Sequence, residues 1–205
     1  ICNGQATGIT LTSAVAGMTA TWSCTQASGN ITGWSANPGP GSVTIDQTLT
    51  LSGVIHDSVL YIITPEANGC AAPDTTFTVI VNPVPELTVS PLEDSICSEQ
   101  TTALQLTSNV SGTGFTWTSS QGVGAVTGNT SGSGDLITDP LVNPLNTPGS
   151  ILYHITPFTS SCTGLETDYT MWVKPLPHLT NQPKGDSICS GTSPNLPLTA
   201  DVSNT

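Results

Sequence analysis

The sequence contains no arginine and only two lysines in 205 residues, against 14 acidic side chains, which leaves a formal net charge of -12 and a pI near 4.1. Nucleic acid is a poor partner for such a chain, because phosphate binding rests on clustered cations, and anionic lipid is disfavoured for the same reason. Long apolar runs are missing as well: none approaches the roughly 20 residues that cross a bilayer. Charged residues of both signs make up only 8% and aromatics 5%, so the polar surface must be built from hydroxyls and amides. That balance suits all-β modules better than helical ones.

The six cysteines form no C-x-x-C pair, which argues against zinc. Paired thiols persist outside the cell and are mostly reduced inside it, so an acidic, lysine-poor chain with several cysteines reads as extracellular. Ile1 is neither an initiator methionine nor part of a signal peptide, and Asp201-Val-Ser-Asn-Thr205 stops in mid-pattern. The chain reads as an excerpt of something longer, so the lack of targeting or anchoring signals in it excludes nothing about the parent protein.

What the chain does have is repetition. Ile1-Cys2-Asn3-Gly4 recurs as Ile96-Cys97-Ser98-Glu99 and again as Ile188-Cys189-Ser190-Gly191. Leu11-Thr-Ser13, Thr21-Trp22 and Thr32-Gly33 recur at an offset of 95 as Leu106-Thr-Ser108, Thr116-Trp117 and Thr127-Gly128. Later landmarks match at an offset of 92: Leu60-Tyr61 and Ile63-Thr-Pro65 with Leu152-Tyr153 and Ile155-Thr-Pro157, Cys70 with Cys162, and Pro83-Val-Pro85 with Pro175-Leu-Pro177. Repeats of this length are whole domains.

Between landmarks, apolar and polar residues alternate with period two, as in half-buried strands, and no window reads as a helix. The alternation points inward Ile9, Leu11 and Val15 (Leu104, Leu106 and Val110 in the second copy), Ala20, Trp22 and Cys24 (Phe115, Trp117 and Ser119), Tyr61 and Ile63 (Tyr153 and Ile155), and Phe77, Val79 and Val81 (Tyr169, Met171 and Val173). About seven short strands per repeat with one tryptophan in a middle strand predict tandem immunoglobulin-like antiparallel β-sandwiches, an all-β fold. The Pro-x-Pro pairs cannot continue a central strand, so boundaries fall there. This gives domains at 1–85 (its first strand truncated), 86–177 and the start of a third at 178–205, with 86–95 and 178–187 supplying the first strand of the following module.

The run Ile188-Cys-Ser-Gly191, with Trp117, Leu141-Val-Asn143, Tyr153-His-Ile-Thr-Pro157, Cys162-Thr-Gly164 and Val173-Lys-Pro-Leu-Pro177, resembles the PKD-like repeats of giant Bacteroidetes surface adhesins of the SprB gliding-motility type. The resemblance covers essentially the whole chain. It departs at Asn3 and Glu99, at the extra Cys24, and at Leu49-Thr-Leu51 in place of Leu-x-Asn. It implies an extracellular filament on the cell surface, exported by the type IX secretion system and partnered by that secretion and gliding machinery, in which tandem sandwiches serve as shaft and spacers. Partners are then neighbouring repeats of the same chain and an unidentified extracellular surface or polysaccharide.

Repeat logic pairs Cys2 with Cys70 and Cys97 with Cys162, closing loops of 68 and 65 residues worth about 4 kcal/mol each on the loop-entropy model. Six reduced thiols are the alternative. Cys189 finds its partner in the remainder of the third module, and Cys24 is either a buried thiol or an alternative partner of Cys2 or Cys70. Four sites fit a short Asp-Ser/Thr O-glycosylation pattern, at Ser58, Thr75, Ser95 and Ser187; the last two fall at successive domain junctions, where Asp94 and Asp186 otherwise simply cap a turn. Three Asn-x-Ser/Thr sequons, at Asn30, Asn109 and Asn129, would be unused in a bacterial chain.

No cofactor is expected. Structural calcium is the one cation worth weighing, with Glu86, Glu93, Asp94 and Asp57 as ligands, though no D-x-D-x-D-G loop supports it and solvated carboxylates are the default. His56, His154 and His178 are scattered, and neither a Gly-x-Ser-x-Gly elbow nor a recurring Ser/His/Asp set marks an enzyme. Trp34 and Trp172 are the aromatics available for a polysaccharide, with cover by a neighbouring loop as the blander fate of Trp172. The reading is therefore a non-catalytic shaft segment of an adhesin. The alternatives are a carbohydrate-binding accessory module of a secreted enzyme and a surface-layer or filament subunit.

Overall fold

The computed structural model describes residues 1–26, 29–180, 187–194 and 197–202. The chain forms two compact units: Ile1–Glu86 with Ser108–Thr113 and Pro157–Leu165, and Leu87–Thr107 with Gly114–Thr156 and Glu166–Thr205. Every described regular element is a strand.

In the first repeat the strands are β1 (Ile9–Thr10), β2 (Thr19–Gln26), β3 (Ile31–Thr32), β4 (Asn37–Ser42), β5 (Thr44–Ile45), β6 (Thr50–Leu51), β7 (Asp57–Ala67), β8 (Cys70–Ala71) and β9 (Thr75–Val81). The main sheet has β2 and β7 at its centre, with β4 beside β2 and both β8 and β9 against β7. β1 with β5 and β3 with β6 make short antiparallel pairs. Alternation along β2 and β7 turns Ala20, Trp22, Val59, Tyr61 and Ile63 to one side, where they meet Ile31, Ile45 and Leu51 from the short pairs and Leu49 from the segment ahead of β6. A sheet face and a set of short strands closing over one apolar layer is a sandwich. Each fully buried large side chain in it contributes about 1.5–3 kcal/mol.

The second repeat supplies β10 (Glu93–Cys97), β11 (Leu104–Gln105), β12 (Gly114–Gln121), β13 (Gly132–Ser133), β14 (Leu136–Ile137), β15 (Gly149–Phe158) and β16 (Thr167–Lys174). Five of them order as β10-β16-β15-β12-β13, and β11 pairs with β14. β10 runs parallel to β16, with Cys97 opposite Lys174; the pairs β15–β16, β12–β13 and β11–β14 are antiparallel. The core again joins the sheet (Phe115, Trp117, Ile151, Tyr153, Ile155, Tyr169, Met171, Val173) to the short strands and loops (Leu104, Leu106, Val126, Ile137, Leu141).

Two inward assignments fail. Val15 lies in a turn and is 51% exposed, because the alternation of β1 does not continue through Ser13–Gly17. Phe77, opposite Tyr61 in β9, is 46% exposed although its counterpart Tyr169 is buried. The second core is flanked by Leu87 and Val89, whereas the residues ahead of β1 lend the first core only Ile1. The stretch 86–95 becomes a regular strand only from Glu93.

Candidate functional site

The first two Ile-Cys motifs are each held in a small backbone cradle. In the first repeat the N–H groups of Asn3 and Gly4 donate to the carbonyls of Asn82 (2.8 Å) and Leu49 (2.9 Å), and the Cys2 N–H donates to Gln5 Oε1 (2.9 Å). In the second, Ser98 and Glu99 donate to Lys174 (2.8 Å) and Leu141 (2.8 Å), and the Cys97 N–H to Gln100 Oε1 (3.0 Å). The turn requires a left-handed residue after the motif: φ is 81° at Gly4, 70° at Glu99 and 81° at Gly191. Glycine takes that conformation at no steric cost and Glu99 does not. The third motif repeats the closing bond, Thr192 N–H to the Cys189 carbonyl at 3.1 Å, as Gln5 closes on Cys2 at 3.0 Å.

The second cysteine of each repeat sits in the hairpin beyond the long strand. Glu66 pairs with Ala71 around Cys70, and Phe158 bridges Thr163 around Cys162. The Ala72 and Gly164 N–H groups close the two loops on Pro65 and Pro157, both at 2.8 Å.

Cys2 is bonded to Cys162, 160 residues away, with Cα atoms 5.8 Å apart; both lie in the first unit. The expected pairs Cys2–Cys70 and Cys97–Cys162 do not form, and Cys70 and Cys97 are exposed thiols. Strand register supplies the reason. Cys2 bridges Asn82, next to the Val81–Asp57 pair that begins β7, while Cys70 pairs with Ala67 at the far end of β7. Eleven strand residues span roughly 35 Å, and a disulfide joins Cα atoms only about 4.4–6.8 Å apart. The second repeat pairs its strands in the same order. Cys24 is a half-buried thiol donating to the Ser35 carbonyl at 3.3 Å; burial raises its pKa, and its pairing with Cys2 or Cys70 is not formed. Cys189 is exposed and unpaired.

A polar node in each core escaped the sequence reading. The Tyr61 hydroxyl donates to Gln47 Oε1 (3.0 Å), whose amide also serves Ser35. At the matching place the Tyr153 hydroxyl donates to Asp139 Oδ2 (2.7 Å), and Asp139 also accepts from the Thr130 N–H (2.9 Å) and hydroxyl (2.6 Å). Burial pushes the Tyr61 phenol up to about 12, and the field of Cys24 adds to it. Tyr153 rises further, through burial first and then the Asp139 bond. Asn143, from the Leu-x-Asn landmark, is buried and donates to the carbonyls of Thr147 (2.8 Å) and Val173 (2.9 Å) while accepting from the Leu145 N–H (3.0 Å).

The outer face of the β12-β15-β16 sheet brings together residues left scattered by the sequence. Ser120 Oγ lies 2.9 Å from His154 Nε2, and His154 Nδ1 lies 2.6 Å from Asp168 Oδ1. This is the connectivity of a Ser-His-Asp set, present in the second repeat only rather than recurring in both. β15 is hydrogen-bonded on both flanks, so the nearby N–H groups serve the ladder rather than converging on an oxyanion. The first repeat holds Thr25, Ile62 and Thr76 at these places. Glu166 adds a carboxylate, and among the described residues His154, Glu166 and Asp168 are the one group of three whose ligand atoms converge, within 4.8 Å. The calcium ligands considered above, Glu86, Glu93, Asp94 and Asp57, are not part of it.

Trp172 is half-buried beside the edge strand β10, its indole N–H donating to Glu93 Oε2 at 3.3 Å. It lines a concavity of about 370 Å³ with Glu93, Asp94, Ser95, Pro148 and Lys174. Trp34 offers no free platform: it packs against the first core and donates to the Ile31 carbonyl at 3.0 Å. Of the proposed sugar acceptors, Ser95, Thr75 and Ser187 are exposed and Ser58 is half-buried within β7. Asp94 and Asp57 accept from the N–H of Ser95 and Ser58, each at 2.7 Å, as capping carboxylates do. Asp186 lies outside the described residues. His56 and His178 are exposed, the latter 3.4 Å from Asp201.

Two sandwiches with matching registers and matching cysteine cradles define a tandem immunoglobulin-like β-sandwich repeat protein. The chain belongs to the PKD-like domain family, whose pattern matches residues 1–85 and again 94–177. No curated protein matches it. Among solved structures it is similar to mouse cadherin-23 EC22-24 (11% identity, 87% of this chain and 62% of that one, TM-score 0.39). It is also similar to human CDH23 EC21-23 (12%, 96% and 78%, 0.32) and to Clostridium thermocellum CbhA fibronectin(III)-like modules (10%, 85% and 88%, 0.30). The chain spans less than two thirds of the mouse fragment's length. Among the described residues no helix is long and apolar enough to cross a membrane.

Proposed function

We propose that the chain is a mechanical shaft segment of a large secreted cell-surface adhesin of the SprB gliding-motility type: two PKD-like repeats, 1–85 and 86–177, and the beginning of a third from 178. The observation that carries this reading is the bond between Cys2 of the first repeat and Cys162 of the second. The bond ties Cys162 of the second repeat's sequence into the first compact unit and closes the chain between the two cysteines into a loop that cannot be drawn out under load. Export by type IX secretion, a place outside the cell and sugars on Ser95, Ser187, Ser58 and Thr75 belong to the same reading. Oxidising surroundings preserve the disulfide, and acidic, glycosylated surfaces discourage lateral pairing of edge strands.

The test is extension under force. Pulled from its ends without reductant, the chain extends only outside the closed loop. Reductant releases 160 residues at about 3.3–3.6 Å each, so full extension should grow by roughly 530–580 Å. An unchanged extension would sink the shaft reading. A second reading, carbohydrate binding, has the Trp172 concavity in its favour. Affinity electrophoresis in polysaccharide gels decides it: retention abolished by Trp172→Ala supports sugar binding, and equal mobility in all gels removes it.

A further inference from the structure

Cys97 stands in the cradle that Cys2 occupies, matched bond for bond: parallel pairing with the residue after the last core valine, the Gln Oε1 acceptor, and the left-handed turn. Cys70 stands in the hairpin that Cys162 occupies, with the same cross-strand pair and the same closing bond to a proline carbonyl. In the one disulfide among the described residues, a cradle cysteine of the first repeat is joined to the hairpin cysteine of the following repeat. Cys97 and Cys70 are both exposed and both unpaired. They are therefore a complementary pair of halves of a bond whose closed form the same molecule displays.

We propose that Cys97 and Cys70 are cross-repeat linkage sites: Cys97 bonds the hairpin cysteine of another PKD-like repeat, and Cys70 the cradle cysteine of one, so that repeats are joined head to tail by a series of staples. A second copy of this chain carries both halves, so Cys97 of one copy bonds Cys70 of the next. The inference extends the shaft reading, but it is read out as a covalent cross-link rather than as an extension, so either can fail without the other.

The chemistry requires an oxidant of the low-molecular-weight disulfide class. One cysteine thiolate attacks a sulfur of oxidised glutathione, forming a mixed disulfide and expelling one glutathione thiolate. The second cysteine thiolate then attacks the protein sulfur of that mixed disulfide and expels the other. Two protein thiols become one disulfide, and one glutathione disulfide becomes two reduced glutathiones; the two protons pass to the departing thiolates.

One local difference gives the proposal a second handle. A Cβ added at Gly164 would fall on the Pro85 carbonyl oxygen, so the closed junction depends on a missing side chain there. The first repeat has Ala72 at that place. Ala72→Gly should therefore raise the yield of the Cys97–Cys70 bond.

The experiment uses the full chain with Cys24→Ser and Cys189→Ser, the first being the residue the second repeat already has at Ser119. Two versions are made, one with Cys70→Ser and one with Cys97→Ser, and an intact Cys2–Cys162 bond and unchanged circular dichroism confirm folding. Each is oxidised alone and as an equal mixture in a glutathione redox buffer, then resolved without reductant and mapped by peptide mass. The expected result is a dimer in the mixture, carrying the Cys97–Cys70 peptide pair, lost in either version alone, and more abundant with Ala72→Gly. Symmetric Cys70–Cys70 or Cys97–Cys97 dimers in the single versions at comparable yield, or a mixture that stays monomeric, would overturn the proposal.

Discussion

Tyr61 and Tyr153 show what a repeated residue does when its partner changes. Gln47 answers one hydroxyl with a neutral amide at a half-exposed place; Asp139 answers the other with a carboxylate that is 3% exposed. Tyr153→Phe removes one donor from a buried acceptor and should cost about 1–3 kcal/mol in urea unfolding, more than Tyr61→Phe. All three tyrosines of the chain, Tyr169 included, have phenols raised above the ordinary value of 10. The folded state thus keeps protons that the unfolded chain gives up, so the stability these groups contribute is whole below pH 10 and drains away as pH rises, across pH 10 to 12 for Tyr61. Absorbance at the tyrosinate band should stay low in the folded protein past pH 10 and appear together with loss of the far-ultraviolet β signal. Normal titration ahead of unfolding would contradict the burial described.

At the scale of elements, the turns carry as much information as the strands. Gly33 and Gly128 have φ of 91° and 97°, and a Cβ at either would fall on a carbonyl oxygen, of Thr48 or Pro140. Gly128→Ala should therefore cost at least about 1–3 kcal/mol, through left-handed strain and the displaced strand together. Gly112→Ala, also at positive φ but in open space, should cost less, and thermal melts of the two variants give the comparison. Asn143 belongs to the same class. Asn143→Ala strands the carbonyls of Thr147 and Val173 and the N–H of Leu145, a loss of about 1–3 kcal/mol by the same measurement. Leu51 replaces it in the first repeat, where Asn3 instead exchanges bonds with the Leu51 backbone at 2.8 and 3.1 Å. Thus the departures at Asn3 and Leu49-Thr-Leu51 are two ends of one local rearrangement.

For the molecule as a whole, the Cys2–Cys162 bond is the largest constraint on the unfolded chain. On the loop-entropy model a closed loop of 160 residues is worth about 5 kcal/mol. The double variant Cys2→Ser/Cys162→Ser should melt well below the oxidised protein, and reductant should lower the oxidised protein's melting temperature without affecting the variant. Equal melting temperatures would mean that the bond adds nothing to folding.

The class of fold, the repeat and most of the core were legible in the residues, because period-two burial and proline punctuation are local signals that a single strand displays by itself. Trp22, Tyr61 and Val81 and their counterparts lie inward as their alternation requires. Alternation failed where it was extended through the turn at Val15, and at Phe77, whose exposure depends on what the neighbouring segments cover. The site chemistry was not legible. Repeat spacing identifies equivalent cysteines but not which end of a strand each occupies, and Cys2 and Cys70 prove to lie at opposite ends of β7. Ser120, His154 and Asp168 meet only because β12, β15 and β16 are neighbours in the sheet. Pairing across strands is a property of register and strand order, and these arise from the packing of distant segments; that is why tertiary structure alone decided the disulfide, the buried Asp139 node and the outer-face cluster.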